Sequence, residues 1–260
     1  MGDVVAHVLG EKSFGHYLID PDTNKCRVFA LDIDIVDSKM ETLKDHEDPE
    51  KRAKYVPQFF PMNPAGPKHD LVEYNPRMSW YDRAHPARFW TKRALNIVAA
   101  EIAAIILDDL ELPCLVSYSG SKGLHVYAML HEDLGGPGPI DAEDAREGAI
   151  LALEKTNMFI PGKGKNFYRA IDQDPVKGFP QLEVEVFPKQ GQVGQGGFGN
   201  LMRLPLGRNF KSEKDIAFFT DFTKYPWDFA PVDPLVAISN CNPFVGTYLQ
   251  VPTGRSVVNG

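Results

Sequence analysis

Cysteine is scarce in this chain: Cys26, Cys114 and Cys241 are the only three in 260 residues, and no two stand in a Cys-x-x-Cys spacing. That spacing gives no support to a disulfide framework or a cysteine-rich zinc module. The seven histidines supply no zinc motif either. No apolar run is long enough to cross a bilayer, and the opening MGDVVAHVLGEKSFG lacks the basic-then-apolar layout of a signal peptide, which predicts a cytoplasmic protein with no membrane partner. Positive charge is in deficit too, with a formal net charge of −7, so a general polyanion binder is disfavoured. The deficit is uneven: from Lys155 to Lys211 basic residues outnumber acids, and that segment alone is suited to face phosphates. What is present is a 43% hydrophobic, 11% aromatic composition, enough to bury a substantial core in one large domain or two small ones.

The strongest local signal is FALDIDIVD. Asp32 and Asp34 stand two residues apart on an apolar strand, so both carboxylates emerge on one face while Leu31, Ile33 and Ile35 fill the other. Like charges held that close repel unless a cation lies between them, and a divalent metal is the obvious candidate.

Periodicity organises the rest. Arg27 to Ile35 reads as a strand, followed by an irregular stretch from about Asp37 to Pro86 that is charged at first and then rich in proline and glycine. Ala87 to Leu110 has helical spacing, Cys114 to Tyr118 and Leu124 to Leu130 form a hairpin across SGSKG, and Asp141 caps a helix running to about Asn157. After a loop containing PGKGK, Leu182 to Phe187 is a further alternating strand. The order β-α-β-β-α-β is that of the split βαβ, RNA-recognition-like unit, in which strand one lies between strands three and four. On that topology the Asp32 and Asp34 face neighbours His125 on strand three and Glu183 and Glu185 on strand four. Acids around a metal with an imidazole nearby suit two-metal phosphoryl transfer.

In this order the motifs resemble the archaeo-eukaryotic primase superfamily: a strand-borne acid pair (Asp32 and Asp34), a small-residue turn ending in histidine (SGSKGLH, His125), and an acid on a later strand. SGSKGLHVY closely resembles the polymerase domain of bacterial end-joining ligases, whereas VEVFPKQ followed by GFGNLMRLPLG is similar to small primase-polymerases of phages, plasmids and defence islands. The resemblance runs from about Gly15 to Arg208. It implies an α+β fold, the split βαβ catalytic sheet joined to an additional N-terminal and insert α/β unit, with residues 1–220 as the catalytic domain and 221–260 as an extension or linker. It also implies Asp32, Asp34 and Glu185 as ligands of Mg²⁺ or Mn²⁺, with Glu183 as the fallback, and His125 as a contact to the triphosphate. Ser119, Ser121, Lys122, Gly123 and Arg203 complete the implied nucleotide site, with Lys189 and Gln190 as weaker candidates.

The implied activity is template-directed nucleotidyl transfer from nucleoside triphosphates on single-stranded or primed DNA, with de novo priming as an extension of it and a replicative helicase as a further partner. Two departures stand out. Gly123 occupies a position often held by serine, so a phosphate contact there falls to a backbone amide. The third acid is Glu rather than the commoner Asp. GQGGFG has dinucleotide-binding spacing but leads into a proline-containing extended segment instead of a helix, and PGKGKN lacks the P-loop pattern. The alternatives are an end-joining repair polymerase, a metal-dependent nuclease or phosphodiesterase, and a catalytically silent nucleic-acid-binding module.

Overall fold

The computed structural model describes residues 2–35, 58–61, 71–74, 88–162, 164–171, 182–194, 197–210, 217–221 and 231–241. After a short helix α1 (Gly2–Val8) come β1 (Gly15–Tyr17), β2 (Lys25–Cys26) and β3 (Val28–Ile35). The irregular stretch contains an antiparallel pair, β4 (Gln58–Pro61) with β5 (Leu71–Tyr74), and otherwise lies outside the described residues. Helix α2 (Arg88–Ala104) continues into a π turn at Ile105–Asp109 and leads to β6 (Cys114–Tyr118) and β7 (Gly123–Met129). Then follow β8 (Ile140–Asp141), helix α3 (Ala142–Lys155), β9 (Phe159–Pro161), β10 (Phe167–Ala170), β11 (Leu182–Phe187), β12 (Leu201–Arg203), β13 (Phe218–Phe219) and α4 (Pro234–Ser239).

Seven strands form one sheet in the order β13-β6-β7-β3-β11-β10-β9, with every neighbouring pair antiparallel. Strand β3 is central, between β7 and β11. The fold is therefore mixed α/β. Alternation decides what each face does: Leu31, Ile33, Leu124, Val126, Leu182, Val184 and Val186 are fully buried, and helices α2 and α3 pack on these strands.

Both helices present the matching stripe. On α2 the residues Ala94, Leu95, Val98, Ala99, Ile102 and Ala103 recur at helical spacing with no exposed surface. Helix α3 uses Ala142, Ala145, Ala149, Ala152 and Leu153, small residues that let it lie close to the sheet. A Cβ at its Gly148 would already stand 3.4 Å from the Phe29 ring.

Three local expectations change. Asp141 does occupy the N-cap position of α3, but its side chain makes no capping hydrogen bond; Glu143 and Asp144 in the first turn and Lys155 in the last complement the helix dipole instead. The loop after α3 is a hairpin, β9 with β10, that widens the sheet beyond β11. Finally, the chain after the sheet returns to it: Val232 donates to the Phe219 carbonyl, and the Cys241 carbonyl accepts from Cys114 at 2.8 Å. Among the described residues no helix is long and apolar enough to cross a membrane.

Candidate nucleotide and metal site

The face of the sheet away from α2 and α3 carries the chemistry. Register aligns Ser117 on β6, His125 on β7, Asp32 on β3, Glu185 on β11 and Phe167 on β10 in one row across five strands. The next row holds Gly123, Asp34, Glu183 and Arg169. Both acids of β3 thus have an acid beside them on β11, about 4.8 Å away in strand spacing.

A two-stranded ribbon, β1 with β12, walls this face and aligns Gly15 with Arg203. Between ribbon and sheet opens a pocket of about 420 Å³ lined by Asp32, Asp34, Ser119, Ser121, Lys122, His125 and Arg203, all expected from the sequence. Ser13, Phe14, Gly15, Leu201, Asn209 and Phe210 complete the lining and were not anticipated. Glu185 and Glu183 stand in the carboxylate rows rather than in the pocket wall.

Asp34, Glu185 and Asp32 each have a basic companion. Lys122 Nζ is 3.5 Å from Asp34 Oδ2 and donates to the Ile35 carbonyl at 3.2 Å. Lys189 pairs with Glu185 and packs its ammonium over the Phe187 and Phe167 rings. His125 Nε2 lies 3.3 Å from Asp32 Oδ1. Burial, reinforced by the charge of Asp32, pushes the Asp34 carboxyl up to about 7 against the pull of Lys122 and His125.

His125 is held from behind. Its Nδ1 is 2.9 Å from the Tyr127 hydroxyl, which also reaches the Arg203 carbonyl at 3.5 Å. Burial and then the charge of Asp32 raise the Tyr127 phenol well above its ordinary range, so it stays a neutral hydroxyl. With the Asp32 carboxylate 3.3 Å from Nε2, a neutral imidazole carries its hydrogen on Nε2, which leaves Nδ1 to accept from the Tyr127 hydroxyl as the nearer of that hydroxyl's two contacts; the opposite tautomer would set a nitrogen lone pair against a carboxylate. Nε2–H thereby faces the Asp32 carboxylate at the wall of the pocket. Tyr127 was missed in the sequence, although its place two residues after His125 puts it on the same strand face.

The SGSKG turn braces itself. Ser119 Oγ accepts from the amides of Ser121 and Gly123, both at 3.3 Å, and Gly120 adopts a φ of 73° that favours glycine. The Gly123 amide expected to meet a phosphate is therefore engaged within the turn. Glycine is required there for another reason, since a Cβ would collide with the Ile33 carbonyl and the Asp34 carboxylate. Arg203 likewise spends its guanidinium on backbone: its Nη atoms donate to the carbonyls of Ser119 at 3.1 Å and Leu206 at 3.0 Å. Asn209 Nδ2 adds a third bond, to the Ser119 carbonyl at 3.0 Å. These two residues clamp the turn to the segment after β12.

Among the described residues no three His, Cys, Asp or Glu side chains are already gathered as a metal cluster. The donor set nonetheless fits a hard divalent cation. Asp32 Oδ1, beside His125 Nε2, and Glu185 Oε1, paired with Lys189, are buried carboxylate oxygens of residues directly opposite one another on neighbouring strands. Carboxylate oxygens of this kind are the usual ligands of Mg²⁺ and Mn²⁺.

Comparison with curated proteins gives no match. The family model for the archaeo-eukaryotic primase domain of the TOTE conflict system matches residues 2–230, nearly the whole chain. The row of acids and histidine, the braced turn and the ribbon all lie inside that span, and the chain belongs to the archaeo-eukaryotic primase domain family of TOTE conflict systems.

Proposed function

We propose that the protein is a metal-dependent DNA primase-polymerase, transferring nucleotidyl groups from nucleoside triphosphates to a 3′-hydroxyl on a single-stranded or primed template. The observation that carries this reading is the row of His125, Asp32 and Glu185, in register on adjacent strands beside an open pocket. Membership of a primase family supports nucleotidyl transfer as the reaction class. In this reading residues 1–220 form the catalytic unit.

Asp32, Asp34 and Glu185 are the residues that hold the divalent cation, with Glu185 favoured over Glu183 because it faces Asp32 in the row that also carries His125. When bound, the cation supplies charge stabilisation to the transferred phosphoryl group and to the attacking and leaving oxygens. The protein's own groups do the positioning. His125 donates Nε2–H to a phosphate oxygen once a cation competes for Asp32, with Tyr127 holding the ring from behind. Lys122, at the pocket wall, adds positive charge for the triphosphate once a cation competes for Asp34. Ser119, Ser121 and Gly123 contribute the rigid turn, and Arg203 holds that turn in place rather than gripping the phosphates directly.

The test is incorporation of labelled nucleoside triphosphates with Mg²⁺ or Mn²⁺ on templates with and without a primer. Extension of a primer on an open single-stranded template is expected, with little gain from a downstream 5′-phosphate. A large gain from that phosphate, together with no synthesis on unprimed DNA, transfers the reading to an end-joining polymerase. Phosphodiester cleavage without incorporation transfers it to a nuclease.

A further inference from the structure

A second pocket, of about 510 Å³, adjoins the same β1–β12 ribbon and has no part in the chemistry above; His16, Tyr17, Lys25, Arg27 and Phe198 are among the residues that line it. Two observations there point to a ligand. The rings of Tyr17 and Phe198 lie 5.2 Å apart and 30° from parallel, yet they remain 47% and 51% exposed. Two large aromatic rings packed on one another yet half exposed leave outer ring surface on which a base can stack. Lys25 and Arg27 are both exposed at the same pocket, while the acid among the lining residues, Asp20, has a carboxylate oxygen turned to the amides of Asp22 and Thr23.

We propose that this pocket binds single-stranded nucleic acid, with bases stacked on Tyr17 and Phe198 and phosphates against Lys25 and Arg27. Stacking on an aromatic pair flanked by cations is how single strands are held without sequence preference, because every base has a flat π face. The ribbon also gives the strand a direction. Tyr17 is aligned with Leu201, which lines the first pocket, and Gly15 with Arg203, so a strand lying on Tyr17 runs along the wall of the proposed nucleotide site. Describing that strand as the template rests on the nucleotidyl-transfer reading; its binding does not.

The experiment measures anisotropy of labelled DNA and RNA oligonucleotides of about 20 nucleotides, long enough to cover one such platform. It compares the wild type with Tyr17→Ala/Phe198→Ala and with Lys25→Gln/Arg27→Gln, each checked for fold by thermal melting. The aromatic variant should lose about tenfold in affinity. The basic variant should also weaken binding and flatten the slope of log K against log salt by about 1.4, the value for two phosphate contacts on a single strand. The polymer showing the larger losses is the natural strand. Wild-type affinity for both polymers in either double variant overturns the proposal. Binding of a labelled nucleoside triphosphate, run in parallel, should be unchanged in both. If the variants lose strand binding while the wild type incorporates nothing on any template, the strand site stands and the catalytic reading fails; unaltered strand affinity with active incorporation has the opposite meaning.

Discussion

The hydroxyl of Tyr127 lies 2.9 Å from Nδ1 of His125, and this contact decides which nitrogen of the histidine faces the pocket. Tyr127 is 4% exposed and is surrounded by the sheet, so it acts through His125 rather than on a ligand. Tyr127→Phe should keep the fold and lower kcat/KM for nucleotide incorporation about tenfold, the equivalent of one buried hydrogen bond of roughly 1.4 kcal/mol. Because the phenylalanine leaves either tautomer of His125 accessible, the pH profile of the residual activity should also shift. An unchanged profile with unchanged kcat/KM would remove Tyr127 from the site.

Asp32→Ala and Asp34→Ala should each lower incorporation by about a thousandfold or more, since removing a ligand forfeits several kcal/mol of charge stabilisation. The buried side of β3 is untouched by either change, so melting temperatures should stay at or above that of the wild type. Extension by both variants at wild-type rates would sink the metal-site assignment.

The raised carboxyl of Asp34 makes a prediction about stability. Its folded-state value of about 7 exceeds the ordinary 3.8, so between these limits the folded protein holds a proton that the unfolded chain has released. Stability of the cation-free protein should therefore fall as pH rises through that window and level off above it. Asp34→Asn should flatten this dependence, and added Mn²⁺ should raise the melting temperature most near pH 8, where the carboxylate is fully charged. The measurement is a melting series in chelator and in Mn²⁺; an Asn variant with the wild-type pH slope would count against Asp34 as its source.

Gly123→Ala forces a methyl group into the Ile33 carbonyl and the Asp34 carboxylate, in the middle of a paired strand where neither backbone can move far. A destabilisation of about 1–3 kcal/mol is expected, typical of overpacking, together with loss of activity from a displaced Asp34. Denaturant unfolding of the variant gives the number directly, and wild-type stability would show that the turn is softer than its contacts imply.

Much of the site was legible because it obeys a period of two. Asp32, Asp34, His125 and Glu185 could be placed on strand faces from alternation alone, and the buried Leu31, Ile33 and Val184 between them follow the same rule. What escaped notice was short or distant. Strands β9 and β10 have three and four residues around a glycine-rich turn, too few for a pattern to rise above loop composition. Phe14, Asn209 and Phe210 reach the pocket only through the pairing of β1 with β12, which no local signal announces. Arg203 was recognised as part of the site, but the sequence offers no means of telling a phosphate ligand from a clamp on Ser119. Helix α4 did carry a signal, Asp233 followed by Pro234, and the structure has Asp233 accepting from Leu235 and Val236 as an N-cap.

The pairing of Gly15 with Arg203 also dictates when the pocket comes into being during synthesis. The central strands can begin to associate once β7 has left the ribosome, but the wall that encloses the nucleotide side needs one segment made before β3 and another made after β11. The carboxylates of β3 therefore wait for β12 before that wall can cover them. The enclosure arrives as a closing step, and truncation from either end of the primase domain should open the pocket before it dissolves the sheet.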